Sequence, residues 1–138
     1  MTTSSSAGAL PVSSVVGDPV ARVAPDATVA DAAAAMAAVN VGAILVGEET
    51  WPSALLSERD VLRVVADGKN PNAVRAAEVA SAKLVWCDAD ATVDEVATQM
   101  MEHYIRHILV ERDGELMGIV SARDLLGVYS SDAVLDAD

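Results

Sequence analysis

Cysteine occurs once in this chain, as Cys87, and phenylalanine not at all; two tryptophans and two tyrosines make up its aromatics. A single thiol forms no internal disulfide, which excludes a disulfide-stapled secreted scaffold and suits a reducing compartment. So few rings exclude the stacking platforms on which proteins hold single-stranded nucleic acid. Basic residues are scarce as well. Nine lysines and arginines face 21 aspartates and glutamates, and the formal charge of −12 opposes non-specific attachment to DNA, RNA or an anionic membrane. No apolar run reaches the ~20 residues of a membrane helix, because Ala32 to Val46 is interrupted by Asn40 and Gly42. Residues 1–11 have neither the basic start nor the long apolar centre of a secretory signal. The expectation is a cytoplasmic protein with no nucleic-acid or membrane partner.

What the chain does have is alanine and valine, a hydrophobic share of 52%, and a repeat. At an offset of 64 residues Asp26-Ala27-Thr28-Val29 falls on Asp90-Ala91-Thr92-Val93 and Met36 on Met100. In the same register Ile44-Leu45-Val46 meets Ile108-Leu109-Val110, and Ser57, Arg59 and Asp60 meet Ser121, Arg123 and Asp124. Matches held without a gap over roughly fifty positions point to an internal duplication. Cys87 lies opposite Val23, which predicts a buried structural thiol.

Each copy reads as strand, helix, strand, strand, helix. After an approach segment around Gly17-Asp18-Pro19, the first has a strand near Ala21 to Val23 and a helix over Val29 to Val39, capped by Thr28 with Asp31 and closed by Asn40. Strands follow at Val41 to Gly47 and Ser53 to Leu56, separated by a turn containing Trp51 and Pro52, and Ser57 opens a helix to about Asp67. Gly68 stops it, and a short helical piece near Val74 to Val79 leads into the second copy. There the strands are Leu84 to Cys87, Ile105 to Glu111 and Leu116 to Val120, with an Asp113-Gly114 hairpin between the last two. The helices are Val93 to His103, capped by Thr92, and one from Ser121 to about Tyr129. The fold class is α/β, or α+β by some schemes: two βαββα repeats, residues 15–68 and 78–130, packed as a pseudo-two-fold pair sharing one core. Residues 69–77 are expected to link them, residues 1–14 to be a disordered tail and residues 131–138 an acidic, frayed end.

Two such units, each with a strand ending in Ser-x-x-Asp, resemble a tandem pair of cystathionine-β-synthase (CBS) domains, often called a Bateman module. The resemblance runs from about Val15 to Tyr129. It rests on Val41-Gly42-Ala43-Ile44-Leu45-Val46, Ser57-Glu58-Arg59-Asp60, Ile105-Arg106-His107-Ile108-Leu109-Val110 and Gly118-Ile119-Val120-Ser121-Ala122-Arg123-Asp124. The segment from Asp60 to Pro71 is further similar to stand-alone bacterial proteins that consist of this module only.

The resemblance implies a regulatory module, with no required cofactor, that takes AMP, ADP, ATP or S-adenosylmethionine in clefts between the repeats and signals to a partner protein yet to be identified. It implies that Asp60 and Asp124 accept from ribose hydroxyls, with Ser57 and Ser121 donating to ribose or phosphate. Backbone near Val23, Val41, Cys87 and Ile105 would read the adenine edge. Arg106 and His107 would meet phosphate, assisted by Arg123 or Arg59. The acidic chain favours AMP or an S-adenosyl group over a triphosphate. From the residues alone, Ser57, Asp60, Ser121 and Asp124 are equally helix caps, since such residues stabilise any helix start. An alternative is a ligandless interaction or stress-response protein with blocked clefts. No nucleophile paired with a base, no glycine-rich phosphate loop and no cluster of metal ligands is legible, so neither an enzyme nor a metal protein is expected. His103 and His107 are four apart, but the first ends a helix and the second lies in a strand. Apolar residues beyond those that one interface needs, among them Val61, Leu62, Val64, Val65, Leu125, Leu126 and Val128, predict a homodimer.

Overall fold

The computed structural model describes residues 7–16 and 20–136. The chain divides into two compact units, Pro19–Leu84 and a discontinuous one made of Met1–Asp18 with Val85–Asp138.

In the first unit, β1 (Arg22–Val23) leads through α1 (Val29–Val39) to β2 (Ala43–Val46), which pairs with it in parallel. A parallel partner requires a crossover, and α1 supplies it. β3 (Leu55–Ser57) then pairs antiparallel with β2, giving the order β1-β2-β3, and runs directly into α2 (Glu58–Ala66). The short helix α3 (Ala76–Val79) completes this unit. The second unit repeats the plan with β4 (Trp86–Asp88), α4 (Val93–His103), β5 (His107–Arg112), β6 (Glu115–Ser121) and α5 (Ala122–Asp136), in the order β4-β5-β6. The mixed α/β class expected from the sequence is the one found.

Local chemistry explains the helix ends. Thr28 and Thr92 accept from the backbone of Asp31 and Glu95, whose carboxylates return the bond, so α1 and α4 each begin in a capping box. Both end in a left-handed residue, Asn40 at φ 56° and Tyr104 at φ 55°. Val41 N–H then donates to Met36 O and Ile105 N–H to Met100 O, each at 3.0 Å. These wrapping bonds of a Schellman end use residues expected to be in strands, which is why β2 and β5 begin two residues later than the sequence suggested.

Each core is aliphatic, as the composition requires. In the first unit Ala32, Met36, Ile44, Val46, Leu56 and Ala76 pack together. In the second, Val12 joins Val93, Val96, Met100, Ile108, Val110, Val120 and Leu125.

The participation of Val12 corrects the expectation of a disordered tail, as far as residues 7–14 are concerned. They form two 3-10 turns, Ala7–Ala9 and Val12–Ser14, and Val12 has no exposed surface. Val12 N–H donates to Ala91 O at 2.7 Å, Ser13 N–H to Ala89 O at 3.1 Å, and Val93 N–H to Leu10 O at 2.9 Å. The first unit does the same with residues 64 further on, since Ala76 N–H donates to Ala27 O at 2.7 Å and Val29 N–H to Val74 O at 2.8 Å. Each copy is thus completed by the segment that precedes the other copy, and part of the expected linker, residues 69–77, is built into the first unit. The expected fraying after Tyr129 is also corrected, because α5 continues to Asp136; Ser130 to Asp136 contains no glycine or proline to stop it. The remaining expectations, disorder of residues 1–6, an approach segment around Gly17 to Pro19 and fraying of residues 137–138, lie outside the described residues.

Candidate functional site

Ser57 and Ser121 each sit where an edge strand becomes a helix. The register puts Ser57 opposite Ala43 and Ser121 opposite His107. The first helical N–H is clamped to the central strand, with Glu58 donating to Gly42 O at 2.9 Å and Ala122 to Arg106 O at 2.8 Å. Two donors that a helix start leaves unpaired are thereby placed beside the entry to β2 or β5.

The side chains close a box at both starts. Ser57 N–H donates to Asp60 Oδ2 at 2.9 Å, Ser57 Oγ donates to the same oxygen at 3.1 Å, and Asp60 N–H donates to Ser57 Oγ at 3.4 Å. In the second unit Ser121 N–H donates to Asp124 Oδ2 at 2.8 Å and Asp124 N–H to Ser121 Oγ at 3.0 Å. The capping role is therefore realised in both copies. The capping bonds go to Oδ2 of each half-buried aspartate. A carboxylate offers about four acceptor positions, so capping and acceptance from a ligand's hydroxyls through Oδ1 are compatible.

Among the residues singled out from the sequence, the second unit brings together Ser121, Asp124, Arg106 and His107. Arg106 is exposed and His107 half-buried. In the first unit the same places hold Gly42 and Ala43. Arg59 and Arg123 are exposed one residue before each aspartate. Val23 pairs with Val46 on the far side of β2 from β3, three residues along from the partner of Ser57, a separation of roughly 14 Å by strand rise and spacing. Cys87, paired with Val110, is set apart from Ser121 in the same way. Val41 and Ile105 lie close to the helix starts, but their N–H groups are spent on Met36 and Met100. The backbone groups that the sequence did not single out are the carbonyls of Gly42 and Arg106.

Cys87 is buried. Burial first, then the carboxylates of Asp88 and Glu111, push its thiol from 9.0 to about 11, so it is a neutral packing group near pH 7. Bonds from Thr92 hold the Glu95 carboxyl below its ordinary value. A groove of about 470 Å³ along α4 is lined by Cys87, Asp88, Glu95 and Glu102, among others. Its carboxylates oppose an anionic ligand, and neither helix start lines it. Among the described residues no three His, Cys, Asp or Glu side chains gather as a metal site. No helix among them is long and apolar enough to cross a membrane.

These features define a duplicated α/β protein with one strand-to-helix polar site per copy. Two stretches, residues 12–67 and 76–131, match the CBS domain. CBS domain-containing protein YhcV of Bacillus subtilis is 35% identical over 107 residues, covering 77% of this chain and 76% of that protein. The uncharacterized protein MK0525 of Methanopyrus kandleri is 34% identical over 107 residues, covering 75% of this chain; the match spans only 55% of that relative's length. Among solved structures, CBS domain protein PAE2072 from Pyrobaculum aerophilum complexed with AMP is similar with a TM-score of 0.75 and 27% identity, over 88% of this chain and 99% of that one. The chain belongs to the CBS-domain family and carries two CBS domains.

Proposed function

We propose that this pair of CBS domains is a regulatory module that binds an adenosine-containing ligand, AMP, ADP, ATP or S-adenosylmethionine, and signals to a partner protein. The observation that carries the reading is the second helix start, where the Ser121–Asp124 box lies in register with His107 and beside Arg106. A carboxylate with acceptor capacity suits two vicinal ribose hydroxyls, and a guanidinium beside it suits phosphate. Asp124 and Asp60 take the ribose; Ser121 and Ser57 assist; Arg106, His107 and Arg123 meet phosphate. The AMP complex of the Pyrobaculum protein supports the ligand class. Signalling follows if the ligand binds one arrangement of the protein better than another. The module acts as a homodimer through helices whose apolar residues stay exposed, Leu62 at 66% and Val65 at 56% on α2 and Leu126 at 66% on α5.

The test is isothermal titration with AMP, ATP and S-adenosylmethionine, repeated on Asp60→Ala and Asp124→Ala. Loss of a hydrogen bond to a charged acceptor weakens binding by about tenfold or more. Unchanged affinity in both variants removes the ribose assignment, and a monomer in light scattering at micromolar concentration removes the dimer.

A further inference from the structure

The two copies differ most in the connection between their last two strands. In the second, pairing continues to Arg112 opposite Glu115 and closes through Asp113 and Gly114, at φ 55° and 78°. In the first, pairing stops at Leu45 opposite Leu55 with one further bond from Val46 N–H to Ala54 O at 3.0 Å, and residues 47–54 form a loop reading Gly-Glu-Glu-Thr-Trp-Pro-Ser-Ala. That loop has a specified shape. One guanidinium nitrogen of Arg22, Nη1, donates to Gly47 O and to Glu49 O, each at 3.1 Å. Ser53 Oγ donates to Glu49 Oε2 at 2.8 Å, and Pro52 is buried. Gly47 turns the chain at φ 105°, which side-chain-bearing residues rarely adopt. Held this way, the loop presents Trp51 at 47% exposure with Glu48 and Glu49 exposed beside it.

We propose that residues 47–54 form a docking loop for a lysine- or arginine-rich protein segment, with Trp51 as its anchor. Tryptophan is among the residues enriched at binding hot spots, and a preorganised support lowers the ordering cost of binding. Its ring face attracts a cation, and two neighbouring carboxylates reinforce that attraction. The loop contains no basic residue of its own, and the Arg22 guanidinium holds two of its carbonyls. Charge decides among occupants. A second copy would set the same glutamates against a chain of formal charge −12, and nucleic acid or phospholipid would be repelled, whereas a basic segment is attracted. Within the first unit this loop lies at the other end of β3 from the Ser57 helix start, and its docking role does not depend on nucleotide binding.

The test uses the full chain and an oligo-arginine peptide, with an oligo-glutamate peptide as control, following the Trp51 indole N–H by NMR at physiological ionic strength. Saturable movement of that resonance by the basic peptide alone is expected, and Trp51→Ala, followed at the backbone amides of Glu48 and Glu49, weakens the affinity by roughly tenfold. Arg22→Gln is the sharper variant. It makes the chain more negative, so attraction to net charge alone would leave binding unchanged or tighter, whereas loss of the loop's shape weakens it. No saturable movement, unchanged binding by Trp51→Ala, or unchanged or tighter binding by a folded Arg22→Gln overturns the proposal. Should Arg22→Gln lose its fold, Trp51→Ala decides.

Discussion

Replacing Val12 by alanine tests whether the segment before the first copy is part of the second unit. Val12 is fully buried among Val93, Val96, Val110, Val120 and their neighbours. Deleting two buried methyl groups loses about 1.6 kcal/mol of transfer free energy, and the unfilled space brings the cost to about 2 to 3 kcal/mol. With an unfolding entropy of about 2.1 cal/mol/K per residue, that lowers the melting temperature by about 7 to 10 °C if the chain unfolds as one cooperative unit. Thermal melts followed by circular dichroism, without ligand, give the shift. Hydrogen exchange adds an independent reading, because the Val12 amide, bonded to Ala91 O at 2.7 Å, should be protected like the core strands. A shift under about 1 °C together with an unprotected Val12 amide would show that these residues do not belong to the core.

Four other outcomes follow from the same structure. Asp60→Ala and Asp124→Ala each remove a capping box and should each cost about 1 kcal/mol in denaturant unfolding, whatever they do to nucleotide binding. Cys87 should react with a disulfide reagent at pH 8 far more slowly in the folded than in the unfolded protein. Because folding raises its pKa from 9.0 to about 11, the native state keeps a proton that the unfolded chain gives up, so stability present below pH 9 is lost as pH rises through 11; Cys87→Val, the residue of the first copy, should reduce that loss. A Cβ at Gly118 would run into Cγ1 of Val16, so Gly118→Ala should destabilise, and adding Val16→Ala should recover much of the loss in a double-mutant cycle. Tyr129 donates its hydroxyl to Asp94 and its pKa is raised to about 12, by burial first and then by that bond and charge; Tyr129→Phe should cost about 1 kcal/mol, and a phenol titrating near 10 in the native protein would contradict the bond.

The helices were the most legible part of the sequence because their ends are written in local chemistry. Val29–Val39 and Val93–His103 were read residue for residue, since threonine with an acid three positions on can be recognised without any partner. Strand starts were less legible. Val41 and Ile105 look like strand residues, and only the three-dimensional path of the helix end shows their N–H groups turned back to Met36 and Met100. The role of residues 7–16 was invisible for a different reason. Val12 is a single valine after a Ser/Thr-rich start, and the buried residues that it joins lie 75 to 113 positions away. The duplication held the clue, since the expected helical piece near Val74 to Val79 has its counterpart at this place in the first copy. At the candidate site, residue types and spacing identified both boxes, whereas the meeting of Ser121 with His107 depends on strand register. Val23 and Cys87 were grouped with the helix starts by resemblance, and the sheet order separates them within each copy.

The boxes also constrain where a phosphate can sit. A bare helix start attracts an anion through its free N–H groups, but here the serine hydroxyls take the N–H of Asp60 and Asp124, the carbonyls of Gly42 and Arg106 take those of Glu58 and Ala122, and a carboxylate stands beside them. On the proposed reading the helix start is therefore a sugar site, and the anion must be held by cations nearby. Arg59 and Arg123 occupy equivalent places in the two copies, so what distinguishes the copies is Arg106 and His107 against Gly42 and Ala43. Arg106→Ala should then weaken AMP by about tenfold while leaving adenosine unchanged, and titration calorimetry with both ligands measures the difference. Equal losses for AMP and adenosine would mean that the Arg106 side chain supports the site's shape and does not bind the phosphate, since its main-chain carbonyl bond to Ala122 N–H survives the substitution.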